Sequence, residues 1–311
     1  MKTLIIKPKK NSDLRLAAET LKRGGLVAFP TETVYGLGAN ALDGKAVEKI
    51  FEAKGRPNDN PLIVHVSDKE ELFALVSKVP EKAQKLMDKF WPGPLTLVLN
   101  KSKSVPRAVT AGQETVAIRM PNNKIALELI KQSGIPVAAP SANVSTRPSP
   151  TEAKHVLEDL DGKIDAIIDG GRTDIGLEST VIDLTSETPT ILRPGKITKE
   201  ELEKVIGKIE IKTKAGKVAK APGMKYKHYS PKARVILVRK KEIPSLKRKL
   251  GTKKTGIILK EGTFEEFAKS LFSKFREMDK RGIEVILVEK IKEKGLGVAI
   301  MNRLKKAAGE I

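Results

Sequence analysis

Short apolar runs alternate with segments of helical periodicity along most of this chain, and this alternation limits the possible folds more than any other feature. Before residue 205, buried strands are predicted at GLVAFP, PLIVHV, LTLVL, TVAIRM, IPVAA, DAIID, STVIDL and TPTILR. Helices are predicted between some of them, for example from about Ala46 to Lys54, where Gly55 and Pro57 end the periodicity. Many short strands among a few helices predict an α/β fold with an open, twisted sheet of mixed strand direction.

Residues 232–311 repeat the alternation on a smaller scale. Near-continuous apolar strands are predicted at ARVILV, TGIILK and IEVILV. The helix between the last two begins with the capping-box pair Thr263 and Glu266, and a final helix is predicted from roughly Val298 to Ala308. This order indicates a smaller, Rossmann-like parallel α/β domain with right-handed crossovers.

A stretch without periodicity separates the two regions. From Lys212 to Pro231 the chain bears lysine, glycine and proline, which is typical of a linker, and it ends in APGMKYKHYSP. The aromatic residues and histidine of that ending are unusual for a passive tether. We therefore expect a first domain over residues 1–205, a linker over 206–231 and a second domain over 232–311.

Positive charge is concentrated in the second half of the chain. The formal net charge is +21, and residues 206–311 carry +18 of it, from 29 basic and 11 acidic residues. One interpretation is a surface that contacts RNA or another polyanion. The other is a solvated lysine-rich face of the kind found in high-temperature proteins, since lysine outnumbers arginine 45 to 14. The composition favours the second interpretation, and the first remains open.

The residue types that are rare or absent exclude several kinds of site. The sequence has no cysteine, which excludes disulfides and thiolate chemistry, and with three histidines a histidine-rich metal cage is not expected. No apolar run approaches the roughly 20 residues of a membrane span, and the N-terminus MKTLIIKPKK lacks a signal peptide's apolar region. A cytoplasmic protein without a membrane segment is expected. The motifs G-x-x-x-x-G-K-[ST], G-x-S-x-G and H-E-x-x-H are absent.

Two polar clusters follow predicted core segments early in the chain. PTETVYGLG, residues 30–38, follows a buried strand; with Gly36 to Gly38 taken as a loop, it suits a ligand cradle or an ordinary turn. KGRPNDNPL, residues 54–62, places Lys54 and Arg56 beside a helix-ending glycine. Both cations suit phosphate oxygens, although a lysine there can also offset the helix dipole.

Two more clusters lie beside later strands. APSANVSTRPSP, residues 139–150, follows the apolar strand IPVAA, and Ser141 and Asn143 occupy alternate positions that can face one ligand. GLEST, residues 176–180, and RPG, residues 193–195, are by themselves typical of a turn and an edge arginine. A plain surface loop seldom carries so many hydroxyls directly after a core strand, so the first of these clusters favours a functional site.

Two single residues on predicted core strands also bear on the chemistry. His65, as a lone core histidine, is more typical of a structural residue than of a catalytic base. Arg119 lies in the apolar strand TVAIRM and needs an anionic partner, which is either a carboxylate ligand or a buried ion pair. With the clusters, these residues offer cations, hydroxyls and glycine backbones but few carboxylates. That set suits binding of a nucleotide and a small anion, as in nucleotidyl transfer.

At these residues the sequence resembles a known family. PTETVYGLG, KGRPNDNPLIVHV, FWPGPLT, VAIRMP, APSAN-S, GLESTV and ILRPG, in this order, resemble the YrdC/Sua5 family of threonylcarbamoyl-AMP synthases. The extension after APGMKYKHYSP is similar to the Sua5 subtype. The resemblance implies a YrdC-like catalytic domain, a linker that folds over the active site, and a Sua5 C-terminal domain.

The activity that the resemblance implies joins L-threonine, bicarbonate or CO2, and ATP. The products would be threonylcarbamoyl-AMP and pyrophosphate, with Mg2+ as cofactor and no residue assigned to a metal. The adenylate is an intermediate for N6-threonylcarbamoyladenosine, the modified base beside the anticodon of ANN-decoding tRNAs. A separate tRNA threonylcarbamoyl-transfer complex would receive it.

The same resemblance implies three sets of site residues in this sequence. The catalytic set is Lys54, Arg56, Ser141 and Asn143. The threonine-binding set is Thr33, His65, Arg119, the Ala139 backbone and Ser179, with Arg119 holding the carboxylate. The ATP-binding set is Arg56, Asn60, Thr115, Ser141, Ser149 and Arg193, with His228 or Tyr229 of the linker.

The sequence also has features of two other functions. A non-catalytic RNA-binding protein of ribosome or tRNA maturation is favoured by the basic half, through which tRNA contact is expected, but disfavoured by the pocket motifs in the near-neutral half. Carbamoyl transfer, as in the hydrogenase-maturation relatives of the fold, would normally come with zinc fingers, which a cysteine-free sequence argues against.

Overall fold

The computed structural model describes residues 2–213 and 228–310. The large sheet consists of β1 (Leu4–Ile6), β2 (Val27–Phe29), β3 (Gly36–Asn40), β4 (Ile63–His65), β5 (Leu95–Asn100), β6 (Thr115–Arg119), β7 (Val137–Ala138), β8 (Ala166–Ile168), β9 (Thr180–Asp183), β10 (Thr190–Arg193) and β11 (Glu210–Ile211). The small sheet consists of β12 (Arg234–Val238), β13 (Thr255–Ile258) and β14 (Val285–Glu289).

Helices pack against both sheets. They are α1 (Arg15–Lys22), α2 (Gly44–Lys54), α3 (Leu72–Leu75), α4 (Glu81–Phe90), α5 (Arg107–Thr110), α6 (Lys124–Ser133), α7 (Ala153–Leu160), α8 (Lys199–Ile206), α9 (Ile243–Lys249), α10 (Phe264–Lys280) and α11 (Leu296–Ala308). Within the described ranges, none of them is long and apolar enough to cross a membrane.

The large sheet mixes parallel and antiparallel pairs, as the sequence predicts. Its strand order is β1-β8-β2-β3-β7-β4-β6-β5-β9-β10-β11. At its centre β4 and β6 run parallel, with His65 in register with Arg119. Because parallel strands end at the same edge, these two side chains leave the sheet side by side. The apolar residues of the sheet are buried on both faces, which accounts for the near-continuous hydrophobic runs in the sequence.

One part of this sheet was not expected. The prediction that Gly36 to Gly38 form a loop is wrong, because they begin β3, which pairs with β2 and β7. A Cβ on Gly38 would lie 2.8 Å from atoms of both Phe29 and Val137. Glycine is required there by the close approach of neighbouring side chains, so the packing overrides the weak strand propensity of the segment.

The small sheet matches the predicted parallel domain. Its order is β12-β14-β13, and both pairs are parallel. The capping box at the start of α10 is present, with Thr263 accepting from the Glu266 backbone. The helix buries Phe267, Leu271 and Phe275 against the sheet. The predicted alternation of strands and helices is confirmed.

The two sheets are joined by direct packing as well as by the chain. The large sheet continues to Ile211 in β11, which lies beyond the predicted domain limit at residue 205. Helix α10 packs onto the loop before β9, where a Cβ on Gly176 would lie 2.6 Å from the Lys269 Cα. At the same interface Arg276 of α10 is buried and donates to Asp159, with the Arg276 Nη2 2.8 Å from the Asp159 Oδ2. The second domain thus rests on a loop and on helix α7 of the first.

Candidate active site

A cleft opens where β4 and β6 end, between the large sheet, the loop after β7 and the start of the second domain. Its empty space amounts to about 570 Å3, part of which is open to solvent. Its lining consists of Thr31, Thr33, Val34, Gly36, Arg56, Ile63, His65, Arg119, Ala139, Pro140, Ser141, Glu178, Ser179, Arg193, His228 and Tyr229. Because the cleft is partly open, a ligand can enter it from solvent.

Ten of the fifteen residues predicted for the site line this cleft. Those on the lining are Thr33, Arg56, His65, Arg119, Ala139, Ser141, Ser179, Arg193, His228 and Tyr229. Those outside it are Lys54, Asn60, Thr115, Asn143 and Ser149. The four polar clusters, which are far apart in the chain, are therefore brought to one place.

Arg119 stands at the end of β6 and is almost fully buried. Its Nη1 donates to the Thr33 Oγ1 at 2.9 Å, and its Nε donates to the Gly93 carbonyl at 3.3 Å. Its Nη2 lies 2.6 Å from the Glu32 Oε2 as an ion pair, although the two groups are not aligned for a hydrogen bond. Of the two partners that the sequence left open, the structure contains the buried ion pair.

Glu32 was missed as an individual residue, although it lies inside the PTETVYGLG motif. Its side chain is buried, and neither carboxylate oxygen has a hydrogen-bond donor in the described part of the chain. A carboxylate held by charge alone is easily exchanged for another anion. Arg119 is thus paired with the Glu32 carboxylate and also lines the cleft, where the carboxylate of a ligand can reach it.

His65 ends β4 beside Arg119. Burial first, and the charge of Arg119 second, lower the pKa of His65 to about 3. The ring is therefore neutral at physiological pH. Its Nδ1 is buried and has no partner within the described residues, so it can meet a group of a ligand.

Arg193 and Ser179 join the GLEST and RPG motifs. Arg193 donates from Nε to the Ser179 carbonyl and from Nη2 to the Ser179 Oγ, both at 3.0 Å. A Cβ on Gly195 would lie 2.3 Å from the Thr180 nitrogen, so only glycine allows the two motifs to pack this closely. The Ser179 hydroxyl also bonds the Thr96 hydroxyl at 2.7 Å. Both side chains are fixed on the lining.

The side chains of Arg56 and Lys54 point in different directions at the end of α2. Gly55 adopts a left-handed conformation with φ 57°, which ends the helix and turns Arg56 onto the cleft. Arg56 donates from Nη2 to the Asn60 carbonyl at 3.3 Å. The Lys54 ammonium is buried behind the lining and donates to the carbonyls of Ser141 and Asn143. Burial, and then the charge of Arg56, hold the pKa of Lys54 well below its ordinary value.

The other predicted residues outside the lining surround it. Asn143 donates to the Val144 and Arg147 carbonyls, and Ser149 donates to Glu178. Asn60 is buried, and its side-chain amide has no partner in the described ranges. Thr115 begins β6, so it lies about 13 Å along the strand from Arg119.

The end of the predicted linker closes one side of the cleft. Tyr229 has a φ of 63° and stacks on Phe272 of α10 with 5.4 Å between ring centroids. Burial, followed by the charge of Arg56, lowers the pKa of His228 to about 3. Residues 214–227 of the linker lie outside the described residues. Tyr229 is thus held against the cleft by α10 of the second domain, and its ring lies 5.6 Å from that of His228.

Glu178 and Arg303 were missed by sequence reasoning. Glu178 belongs to GLEST, but nothing in the motif indicated that it needs a partner from the second domain. It is the one carboxylate on the lining within the described residues. Burial is the largest single effect and opposes its ionisation, but the charges of Arg303 and Arg193 and the hydrogen bonds from Ser149 and Arg303 together lower the pKa of Glu178. The only available signal was an arginine in the apolar helix VAIMNRL.

Taken together, three arginines, several hydroxyls and two neutral histidines face one cleft. Such a lining binds phosphate and carboxylate groups and has few groups for acid–base chemistry. No group of three or more His, Asp or Glu side chains that could hold a metal ion occurs in residues 2–213 and 228–310. The fold and cleft define the class as α/β proteins with an arginine-lined site for anionic ligands.

Comparisons with known proteins narrow this class. A family model described as Telomere recombination (Sua5_yciO_yrdC) matches residues 19–195. A second, described as Threonylcarbamoyl-AMP synthase, C-terminal domain, matches residues 197–309. The threonylcarbamoyl-AMP synthase of Pyrococcus abyssi is 55% identical, over 95% of this chain and 94% of the relative. That of Bacillus subtilis is 47% identical, over 94% and 92%.

A solved structure agrees with these relatives. P. abyssi Sua5 complexed with L-threonine has a TM-score of 0.95 and 52% identity, over 99% of this chain and 98% of that one. The chain belongs to the YrdC/Sua5 family, in its two-domain Sua5 form. The resemblance drawn from the sequence motifs is confirmed.

Proposed function

We infer that this chain is a threonylcarbamoyl-AMP synthase, an ATP-using nucleotidyltransferase. Relatives with this enzyme name match nearly the whole chain, which disfavours a non-catalytic RNA-binding protein. The observation that carries the inference is the single cleft onto which Arg56, Arg119 and Arg193 open together. Nucleotidyl transfer to a small acid needs cationic groups for both reactants within one cavity.

The threonine would occupy the end of the cleft formed by β4 and β6. Its carboxylate would bind the Arg119 guanidinium in competition with Glu32, whose ion pair lacks aligned hydrogen bonds. The neutral His65 ring would accept a hydrogen bond from the threonine amine or hydroxyl. Thr33, Ser179 and the Ala139 backbone would complete the site. The relative solved with L-threonine supports an amino acid here.

The nucleotide would occupy the opposite end. Arg56, Ser141 and Arg193 line that end together with His228 and Tyr229. Asn60 and Thr115 stand at the beginnings of β4 and β6, so a nucleotide that contacts them has to extend along the sheet. The unpartnered amide of Asn60 supports such a contact, because a buried amide without a partner costs about 1–3 kcal/mol. Ser149 lies behind Glu178 and would act from there.

The reaction that fits this arrangement has two steps. The threonine amine takes up CO2 with release of a proton to solvent, or bicarbonate with loss of water, to form a carbamate. A carbamate oxygen then attacks the α-phosphorus of ATP; the new P–O bond forms as the bond to the β-phosphate oxygen breaks, and pyrophosphate leaves. Arg56 would neutralise charge on the phosphates, and Ser141 would orient the α-phosphate and carbamate.

For Lys54 and Asn143 we propose roles that act on the loop after β7. The buried ammonium binds two carbonyls of residues 141–143 and so fixes the direction of the Ser141 side chain. Asn143 ties the same loop to Arg147. The charge of Lys54 also lies behind the phosphate end. Both residues would therefore be required for turnover even though neither lines the cleft.

Mg2+ is proposed to enter with ATP. The described residues offer no carboxylate cluster for a resident ion, and Mg2+ is commonly held by substrate phosphates with several waters. When bound in this way, it would reduce the negative charge of the β- and γ-phosphates. We assign none of the residues of this chain to it.

A labelling assay tests the proposed function. Purified protein, ATP, L-threonine and 14C-bicarbonate are incubated without RNA, and pyrophosphate and acid-labile labelled adenylate are measured. We expect one pyrophosphate per labelled adenylate, and neither without threonine. Pyrophosphate release that does not depend on threonine, or no label in an AMP ester, would contradict the proposal. Arg56→Met should lower both signals together.

The fate of the product is a further part of the proposal. We propose that threonylcarbamoyl-AMP is used to modify ANN-decoding tRNA by a separate transfer complex in the cytoplasm. The exposed basic residues of α9 and its flanks, among them Lys247, Arg248 and Lys253, would contact tRNA electrostatically. If so, tRNA binding should weaken steeply between 50 and 200 mM salt and on replacing these residues with glutamine.

A further inference from the structure

A side chain of the second domain reaches the back of the cleft. Arg303 lies in α11 and is fully buried. Its Nε donates to the Glu178 Oε2 at 2.8 Å, and its Nη1 donates to the Pro194 carbonyl at 2.9 Å. Its guanidinium carbon lies 5.3 Å from the centroid of the Tyr229 ring. One arginine therefore touches three groups that come from three separate segments.

Each of the three contacts belongs to the nucleotide end of the cleft. Glu178 lines the cleft and accepts the hydroxyl of Ser149. Pro194 directly follows Arg193, so the carbonyl that Arg303 binds fixes the turn just after that residue. Tyr229 lies near the end of the linker and also lines the cleft. Arg303 therefore contacts groups that position Arg193, Ser149 and Tyr229, which belong to the proposed nucleotide end of the cleft.

We propose that Arg303 is a positioning residue, through which the second domain holds the nucleotide end of the cleft in its binding geometry. The inference rests on the proposed function and assigns a role in it to the second domain. Arg303 does not line the cleft, so it acts through Glu178, the Pro194 carbonyl and Tyr229 rather than on ATP itself.

Its energetics support a positional role rather than a merely stabilising one. A fully buried ion pair adds little net stability compared with apolar residues of the same volume, because both charges lose their water. The planar fork of arginine, however, fixes two acceptors and an aromatic ring at defined angles. Without that fork, the buried Glu178 carboxylate would have Arg193 as its nearest counter-charge. It would then draw the Arg193 guanidinium away from Ser179.

The test compares Arg303→Met and Arg303→Lys with the wild-type full-length protein. Lys305→Met is the matched control: it lies on the same helix, and its charge pairs with Glu293 at the partly exposed surface, with Nζ and Oε1 2.6 Å apart. Dissociation constants are measured by calorimetry for α,β-methylene-ATP with Mg2+ and, separately, for L-threonine. Circular dichroism and thermal unfolding check that each variant folds.

We expect Arg303→Met to weaken α,β-methylene-ATP binding about 10- to 100-fold, since one misplaced charged hydrogen bond has an effect of this order. Threonine binding should change by less than threefold. Arg303→Lys should fall between, because an ammonium can reach Glu178 but cannot bind Pro194 at the same time. Lys305→Met should bind both ligands as the wild type does.

Two results would overturn the proposal. One is nucleotide binding within twofold of wild type in folded Arg303→Met or, should that variant not fold, in Arg303→Lys. The other is an equal loss of threonine and nucleotide affinity, which is what a general loosening of the fold would produce. Turnover of the wild type is measured separately. Its absence would refute the proposed function, while the binding comparison would still decide the role of Arg303.

Discussion

The pairing of Arg119 with Glu32 predicts that substitutions at these two residues change the free energy of unfolding and the affinity for threonine independently. The two side chains are buried, with 2.6 Å between the Arg119 Nη2 and the Glu32 Oε2. Arg119→Met would leave Glu32 buried without its counter-charge, which should lower the free energy of unfolding by about 3–5 kcal/mol. It would also remove the proposed partner of the threonine carboxylate, a charged hydrogen bond of about 1.5–3 kcal/mol.

The double variant Glu32→Gln with Arg119→Met distinguishes these effects. Neutralising both members removes the uncompensated charge, so most of the lost stability should return. Threonine affinity should remain about 10- to 150-fold below wild type, as that energy requires. Glu32→Gln alone should bind threonine at least as tightly as wild type, because the competing carboxylate is gone.

Denaturant unfolding and threonine calorimetry on the same four proteins measure both quantities. Arg107→Met, an exposed arginine of α5 that does not line the cleft, is the control for a generic arginine loss. If the double variant binds threonine like the wild type, Arg119 is not the carboxylate partner and the reasoning is refuted. If Arg119→Met unfolds with the same free energy as the wild type, the ion pair does not contribute to stability and the predicted loss of about 3–5 kcal/mol is wrong.

Three further predictions concern other parts of the structure. Lys54→Met should reduce turnover at least tenfold while the protein remains folded, since the loop at residues 141–143 loses its buried donor; full activity in the pyrophosphate assay would contradict this. The pKa of His65 is about 3 when folded and near 6.5 when unfolded, so the unfolded chain binds the proton first and stability is lost as the pH falls below 6.5. Between pH 7 and 5 this loss of stability is about 2 kcal/mol. Denaturant titrations of His65→Gln at the two pH values should no longer show it. An unchanged pH dependence of stability in this variant would count against a buried neutral ring. Gly176→Ala should weaken docking of α10, because the Cβ would meet the Lys269 backbone at a φ of 78°; the thermal midpoint should fall, and an unchanged midpoint would show that the interface can shift.

The sequence predicts the fold and the location of the site for physical reasons. Apolar runs such as LTLVL and IEVILV are long enough to specify buried strands, and they appear as β5 and β14. β3 was not predicted because its glycines are selected by the approach of Phe29 and Val137, which no local pattern reveals. The motifs that follow core strands converge because strand ends meet at one edge of the sheet.

The partners of the site residues were harder to predict. Glu178 and Arg303 are 125 positions apart, and Arg119 and Glu32 come from different strands and loops. The pairing of Glu178 with Arg303 depends on how the second domain docks, and that of Arg119 with Glu32 depends on how a strand and a distant loop of the first domain meet. Single-sequence patterns contain neither kind of information. The direction of Lys54 was missed for a similar reason, because a lysine at a helix end can turn towards solvent or towards a neighbouring loop.

The most direct test is a structure of the protein with L-threonine and α,β-methylene-ATP bound together. We expect the threonine carboxylate on the Arg119 guanidinium, the phosphates beside Arg56 and Ser141, and room for one carboxylate group between the amine and the α-phosphorus. Ligands in separate cavities, or a threonine carboxylate that leaves Arg119 paired with Glu32 alone, would contradict a shared site.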